Sequence, residues 1–310
     1  MSEMLEELKR QLGNSQNFGL MLQIVQLIKL SRLRRPAEVL KFGPILLSKY
    51  KGRLGNGQWD IREQVFIAAC EHHLFEIATG ELEALETRFP KSTRVSCLQG
   101  MLLEAQSTSQ ALTPDQALEM SEEAIQKYDQ VLEEEPCNVQ ARKRKVCALR
   151  SRGTPEGTNE AIKALNEYLG IYPTDVEAWK ELADIYLENQ QLENARKALE
   201  DVVMLQPISY VNHLKLAEVL YTLDDYALAR KYYAQSLELN PEKNPRAAFG
   251  MVLCTTAIQA PKGKSAGKVD ATNQGLYNLS RQLVLNSYEK LTPKDGGSGV
   301  APLVNSWLRA

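Results

Sequence analysis

With 310 residues, 44% of them hydrophobic, and a formal net charge of −2, the chain has ample material for a core and lacks the basic excess of a general nucleic-acid binder. Its five cysteines (Cys70, Cys97, Cys137, Cys147, Cys254) lie far apart with no CxxC or metal-ligand spacing, so they read as reduced thiols of a cytosolic protein. The most apolar stretch, Phe18 to Leu30, is broken by Gln23, Gln26 and Lys29. It falls short of the roughly 18 apolar residues that a membrane span needs.

In chain order, the start MSEMLEELKRQLGN is acidic and amphipathic, unlike a secretory signal. Gly19–Leu33 and Pro36–Tyr50 predict a helical pair, and residues 1–58 together are expected to form an N-terminal helical cap. Beyond them, Pro90, Pro136, Pro173, Pro207 and Pro241 recur at intervals of 46, 37, 34 and 34 residues. Each follows a helix-like stretch and precedes another. Proline lacks the N–H and clashes with the preceding turn, so each closes one helical hairpin and opens the next. The last two intervals equal the tetratricopeptide period of 34, and the first two exceed it by 12 and by 3.

The clearest unit starts at Val176, with Trp179, Leu182, Ala183, Tyr186, Ala195, Leu199, Val202 and Pro207 at repeat positions 4, 7, 8, 11, 20, 24, 27 and 32. Positions 4 to 11 form one face of helix A and 20 to 27 the facing stripe of helix B, with small residues at 8 and 20 for close approach. Units from Tyr210, Val139, Thr93 and Trp59 follow the same frame, the last in degenerate form. The extra three residues of the Val139 unit are expected in a loop at 152–157, and the extra twelve of the Thr93 unit around 106–120, as a loop or a longer helix B. Thr113-Pro114 is a candidate helix start there. The array spans 59–255, with a partial unit near 244. Residues 256–310 are expected to hold a linker at 260–268, a closing helix at 271–291 and a mobile Gly/Ser-rich tail. The predicted fold is all-α, a tetratricopeptide-repeat solenoid of antiparallel helix pairs in a curved right-handed superhelix.

Catalytic patterns are lacking. Lys262-Gly-Lys-Ser265 misses the first glycine and the preceding strand of a phosphate loop. His72 and His73 point to different helix faces, and His213 takes the usual tryptophan place of its repeat, which indicates packing. We therefore expect no enzyme activity, no catalytic residue, no metal and no cofactor. Charge is segregated: eight basic residues and one acidic (Glu38) from Lys29 to Arg53, then eight acidic and one basic (Lys127) from Asp115 to Glu135. In Ala141-Arg-Lys-Arg-Lys145, Arg142 and Lys145 occupy positions 4 and 7, where the repeat expects an aromatic and a leucine. Such charges must be paired or reach out of the core.

Several segments together resemble a specific family: Arg88-Phe-Pro90, Gly100-Met101, Tyr128-Asp129, Asn138 with ARKRK at 141–145, and Leu165-Asn-Glu-Tyr-Leu169. They continue with Glu177-Ala-Trp-x-Glu-Leu-Ala183, Ala229-Arg-Lys-Tyr232 and Arg246-Ala-x-Phe-Gly250. Over roughly 59–255 the chain resembles the subunit 2 family of the endoplasmic reticulum membrane protein complex. The resemblance implies a non-catalytic scaffold, peripheral on the cytoplasmic face of that membrane. It also implies partners among the other subunits: cytosolic segments of the membrane-embedded ones, and a cytosolic one. The complex supports insertion of transmembrane helices. No nucleic acid is expected, and membrane association is indirect.

Positions 2, 5, 9 and 12 of each A helix are expected to line a concave, protein-binding face. They are Gln140, Lys143, Cys147 and Arg150; then Glu177, Lys180, Asp184 and Leu187; then Val211, Leu214, Glu218 and Tyr221. Arg142 and Lys145 join them as a candidate basic cluster. The rival reading is a co-chaperone or adaptor that clamps a peptide carboxylate. Such a clamp needs lysine at 5 with asparagine at 9, but Lys143 and Lys180 are followed by Cys147 and Asp184.

Overall fold

The computed structural model describes residues 2–259 except 14, 15, 32, 110, 111 and 242, together with 271–289, 303, 304 and 306. Among the described residues every regular element is a helix. Two compact units divide the chain, Met1–Asn166 and Glu167–Ala310. The expected linker at 260–268 and the tail from 293 to 302 lie outside the described residues.

Unit 1 opens with α1 (Ser2–Leu12), α2 (Phe18–Ser31), α3 (Pro36–Lys49) and the short α4 (Lys51–Leu54). Leu5, Leu12, Ile24, Leu46 and Val65 share one core, which joins this cap to α5 (Gly57–Glu71). Then come α6 (Phe75–Arg88), α7 (Thr93–Ser107), α8 (Pro114–Glu134), α9 (Val139–Ser151) and α10 (Pro155–Ile171), the last running across the division. Unit 2 continues with α11 (Val176–Glu188), α12 (Leu192–Leu205), α13 (Tyr210–Thr222), α14 (Tyr226–Leu239), α15 (Pro245–Gln259) and α16 (Ala271–Glu289). Sequential helices pack as antiparallel neighbours: α7 on α8 in unit 1, and α11 on α12, α13 on α14 and α15 on α16 in unit 2. Leu182, Leu199 and Leu216 are fully buried, each contributing about 1.5–3 kcal/mol by leaving water.

Each B helix stops two residues short of its proline, because the residue before proline is driven out of the α region. Phe89, Glu135, Gln206 and Asn240 all cap their helices with φ between −146° and −129°. With C-terminal ends fixed, most of the extra residues extend the N-terminal ends. Helices α6, α12 and α14 have 14 residues each, whereas α8 has 21 and α10 has 17. Both long helices begin at Thr-Pro. Thr113 forms a capping box, its Oγ1 accepting from Gln116 N and its own N–H donating to Gln116 Oε1 (3.1 Å). Thr154 Oγ1 accepts from Gly157 N at 3.1 Å. The expectation of a loop over 152–157 is thus corrected. Only Arg152, Gly153 and Thr154 lie between the helices, and Pro155, whose fixed φ suits a first helical turn, starts α10.

Four A-to-B turns share one backbone conformation; in the Thr93 unit position 15 is Ser107, still within α7. His73, Gly153, Gln190 and Asp224 all stand at repeat position 15, and all have φ between 55° and 63°. Close approach between helices is set by glycine. An added Cβ at Gly100 would lie 2.6 Å from the Tyr128 ring, and one at Gly250 2.3 Å from the Tyr233 ring. Side-chain caps from Asn138, Asp175 and Asp225 start α9, α11 and α14, worth about 1 kcal/mol each.

Candidate functional site on the A helices

Repeat position 4 has a role that hydrophobicity does not reveal. Trp179 Nε1 donates to Pro173 O at 2.9 Å, His213 Nε2 to Pro207 O at 2.8 Å, and Arg142 Nε to Pro136 O at 2.7 Å. In each case the donor is six residues beyond the repeat proline. In these three turns one carbonyl receives an N–H, and three different side chains supply it. Arg142 is therefore a structural donor within the ARKRK segment. Lys145 pairs with Asp129 of α8 at 2.5 Å, and Arg144 with Glu104 of α7 at 3.3 Å.

Ion pairs join helices of successive helical pairs, three of them at one offset. Lys29–Asp60 (2.9 Å), Glu63–Arg94 (2.6 Å) and Asp184–Lys215 (3.0 Å) each join residues 31 apart, one helical turn short of the 34-residue period. Arg246 Nη2 donates to Glu218 at 2.9 Å. These pairs are partly exposed, so each contributes at most about 1 kcal/mol; what they supply is register.

In unit 1 the A helices leave a groove of about 550 Å³. Its floor includes Ile67, Met101, Ala105 and Ala148, and its walls carry Arg34–Glu71 (3.0 Å) and Arg144–Glu104. Burial holds the Glu104 carboxyl above the usual carboxylate range, while Arg144 and Tyr128 pull it back. Glu135, beyond the groove, is held below that range by hydrogen bonds from Asn138 and then Thr93. Burial pushes the Cys70 thiol up to about 12 and Cys97 to about 11, so neither ionises near neutrality.

The residues named from repeat positions fall into three groups. Cys147 is exposed and lines the groove, while Gln140, also exposed, points its amide at Met101 Sδ (3.8 Å). Lys143 and Arg150 are half-buried on α9. In unit 2, Lys180 is engaged by Glu177 (2.9 Å) and Gln206 (3.1 Å), and Asp184 and Glu218 hold the ion pairs given above. Leu187 and Tyr221 are half-buried against the core, Tyr221 with its ring 5.2 Å from Tyr226, and Val211 is exposed. Leu214 is a correction: at 7% exposure it is part of the same core as Ala247 and Met251 and cannot line an open face. Arg34, Glu71, His73, Glu104 and Arg144 of the groove were missed. Glu104 and Arg144 could have been found by scanning for opposite charges on successive A helices.

These features define a tetratricopeptide-type binding protein. Among the described residues no group of three or more His, Cys, Asp or Glu could hold a metal ion, and no helix is long and apolar enough to cross a membrane. Residues 104–240 match the family described as the EMC2 TPR-like repeat domain. The chain is 35% identical over 252 residues to ER membrane protein complex subunit 2-A of Xenopus laevis, covering 80% of each. It is 30% identical over 240 residues to ER membrane protein complex subunit 2 of Dictyostelium discoideum, covering 76% of this chain and 70% of that one. Among solved structures, the C-terminal part of a TPR repeat-containing protein from Cytophaga hutchinsonii superposes with a TM-score of 0.54 at 13% identity, covering 97% of this chain and 98% of the other. A thermophilic TPR protein of Thermus thermophilus gives 0.50 at 16% identity, covering 66% and 100%. Those two likenesses establish the repeat fold alone. The chain belongs to the ER membrane protein complex subunit 2 family.

Proposed function

We propose that the chain is a non-catalytic scaffold subunit of an endoplasmic reticulum membrane protein complex, peripheral on the cytoplasmic face, whose A helices hold segments of the other subunits. It does no chemistry on a substrate; through its partners it supports insertion of transmembrane helices. The observation that carries the binding surface is the unit 1 groove, with an apolar floor between two cross-repeat ion pairs. Its chemistry suits a segment with an apolar anchor flanked by polar or charged residues. In unit 2, Lys180, Asp184 and Glu218 present a more polar face, already tied by internal pairs. The engagement of Lys180 by Glu177 and Gln206 argues against the carboxylate clamp of a co-chaperone.

Affinity purification from detergent-solubilised membranes tests the scaffold. A stoichiometric set of endoplasmic reticulum membrane proteins is expected, and recovery of heat-shock chaperones alone would overturn the reading. Cys147→Arg places a bulky cation on the groove wall without entering the core. Loss of at least about tenfold in recovery of one partner is expected, with helicity unchanged. Full recovery of every partner would refute the groove while leaving the scaffold in place.

A further inference from the structure

Most cations on the A helices have carboxylate partners; those of the N-terminal cap largely do not. Between Lys29 and Arg53, Lys29 pairs with Asp60 and Arg34 with Glu71. The one carboxylate of the stretch, Glu38, is taken by Lys9 at 3.2 Å. Arg35, Lys41, Lys49, Lys51 and Arg53 meet no carboxylate among the described residues, and all five are exposed. The outward stripe of α2 (Gly19, Gln23, Gln26, Leu30) and that of α3 (Ala37, Lys41, Pro44, Ser48) also contain no acid. Leu30 is 81% exposed beside the turn that carries Arg34 and Arg35.

Three of the cations gather with two aromatic rings at the other end of α3. Lys49 Nζ donates to Gln16 Oε1 at 2.6 Å and Tyr50 Oη to Gln16 O at 3.0 Å. The Phe18 and Tyr50 rings lie 5.3 Å apart, and the Arg53 guanidinium stands 5.9 Å from Phe18. Around them Gly52, Gly55 and Gly57 are so open that an added Cβ would touch nothing within 4 Å. A half-buried tyrosine with a polar tip, packed on a phenylalanine among cations that meet no carboxylate, fits the boundary between a bilayer and water. The cations occupy both ends of a helix of 14 residues, about 21 Å long, which suits an extended sheet of negative charge better than one anion.

We propose that the α2–α4 surface of the N-terminal cap binds anionic lipid head groups directly, with Lys49, Lys51 and Arg53 as its strongest contacts. This does not depend on membership of a complex, because it concerns the chain alone against a lipid surface. A basic side chain beside an anionic surface improves partition about fivefold, so three together are worth on the order of 100-fold.

The test is flotation of the purified full chain with phosphatidylcholine vesicles containing about 30 mol% phosphatidylserine, against pure phosphatidylcholine vesicles, at low and at raised salt. Expected are binding to the anionic vesicles only, its loss at high salt, and a drop on the order of 100-fold for Lys49→Ala/Lys51→Ala/Arg53→Ala. Lys197→Ala/Lys231→Ala removes exposed charge from α12 and α14 and is expected to bind like the wild type. Circular dichroism confirms that both variants stay folded. Equal binding to both vesicle types, no binding to anionic vesicles at low salt, or undiminished binding by the triple variant overturns the proposal. Capture by polyglutamate without vesicle binding also overturns it, and assigns the surface to an acidic protein instead.

Discussion

The two units solve the same packing problem at different lengths. In unit 2, α12 and α14 have 14 residues each; in unit 1, α8 has 21, and α10, which starts there, has 17. Much of what fixes geometry is nevertheless shared. The C-terminal ends of the B helices are set by proline, four A-to-B turns by a positive φ at position 15, and in each unit ion pairs 31 residues apart link successive A helices. Extra residues are accommodated chiefly at the N-terminal end of helix B, where Thr-Pro can start a helix early. The repeat is thus rigid at three joints and extensible at a fourth.

The largest test of this contrast concerns the joints. Gly250→Ala forces a methyl into the Tyr233 ring, and Gly100→Ala does the same at Tyr128. Tyr128 is completely buried and Tyr233 nearly so, which leaves neither ring room to swing. Each variant is expected to lose about 3 kcal/mol in urea unfolding. A loss confined to unit 2 would show that the longer helices of unit 1 also loosen its packing.

The next effect is the hydrogen bond to the proline carbonyl. His213→Phe keeps a ring but leaves the Pro207 carbonyl without its donor, at a cost of about 1–2 kcal/mol. Trp179→Phe and Arg142→Leu are each expected to cost less, about 0.5–1 kcal/mol, since both bonds are exposed. Equal stabilities for Trp179→Phe and wild type would reduce position 4 to a packing site.

At the extensible joint, Thr113→Ala removes the capping box of α8 and should cost about 1 kcal/mol locally. The readout is faster amide exchange over 114–120, with the global unfolding midpoint little changed. The smallest expected effect is an exchange at position 15. Gln190→Gly relieves a left-handed residue but adds chain entropy, for a gain of no more than about 0.5 kcal/mol. Gly153→Gln should lose about 1 kcal/mol by the same φ argument.

The fold class could be read from the chain because prolines and small residues act locally. Pro173, Ala183 and Ala195 say where a helix ends and where two helices touch without reference to anything distant. The longer B helices could be read in part: Thr113-Pro114 was visible as a start, whereas Gly153 and Pro155 read as one loop although only the first is in it. The surface was harder. Leu214 occupies a position that faces outward by helical period alone, yet it is covered within unit 2. The ion pairs of Glu104 and Arg144 depend on the offset between successive A helices, and no single helix encodes that offset. Arg142 was recognised as misplaced for an apolar site; its N–H bond to Pro136 explains why arginine, histidine and tryptophan can alternate there.

The distribution of thiols has a practical consequence. Cys70, Cys97 and Cys254 are buried, with acidities pushed to about 12, 11 and 12, whereas Cys137 and Cys147 are exposed. A maleimide dye at neutral pH is therefore directed to two positions, and in a Cys137→Ser background to Cys147 alone, on the groove wall. The native chain already carries, at the surface proposed for its partners, an attachment point for a fluorophore whose emission would report arrival and departure in real time.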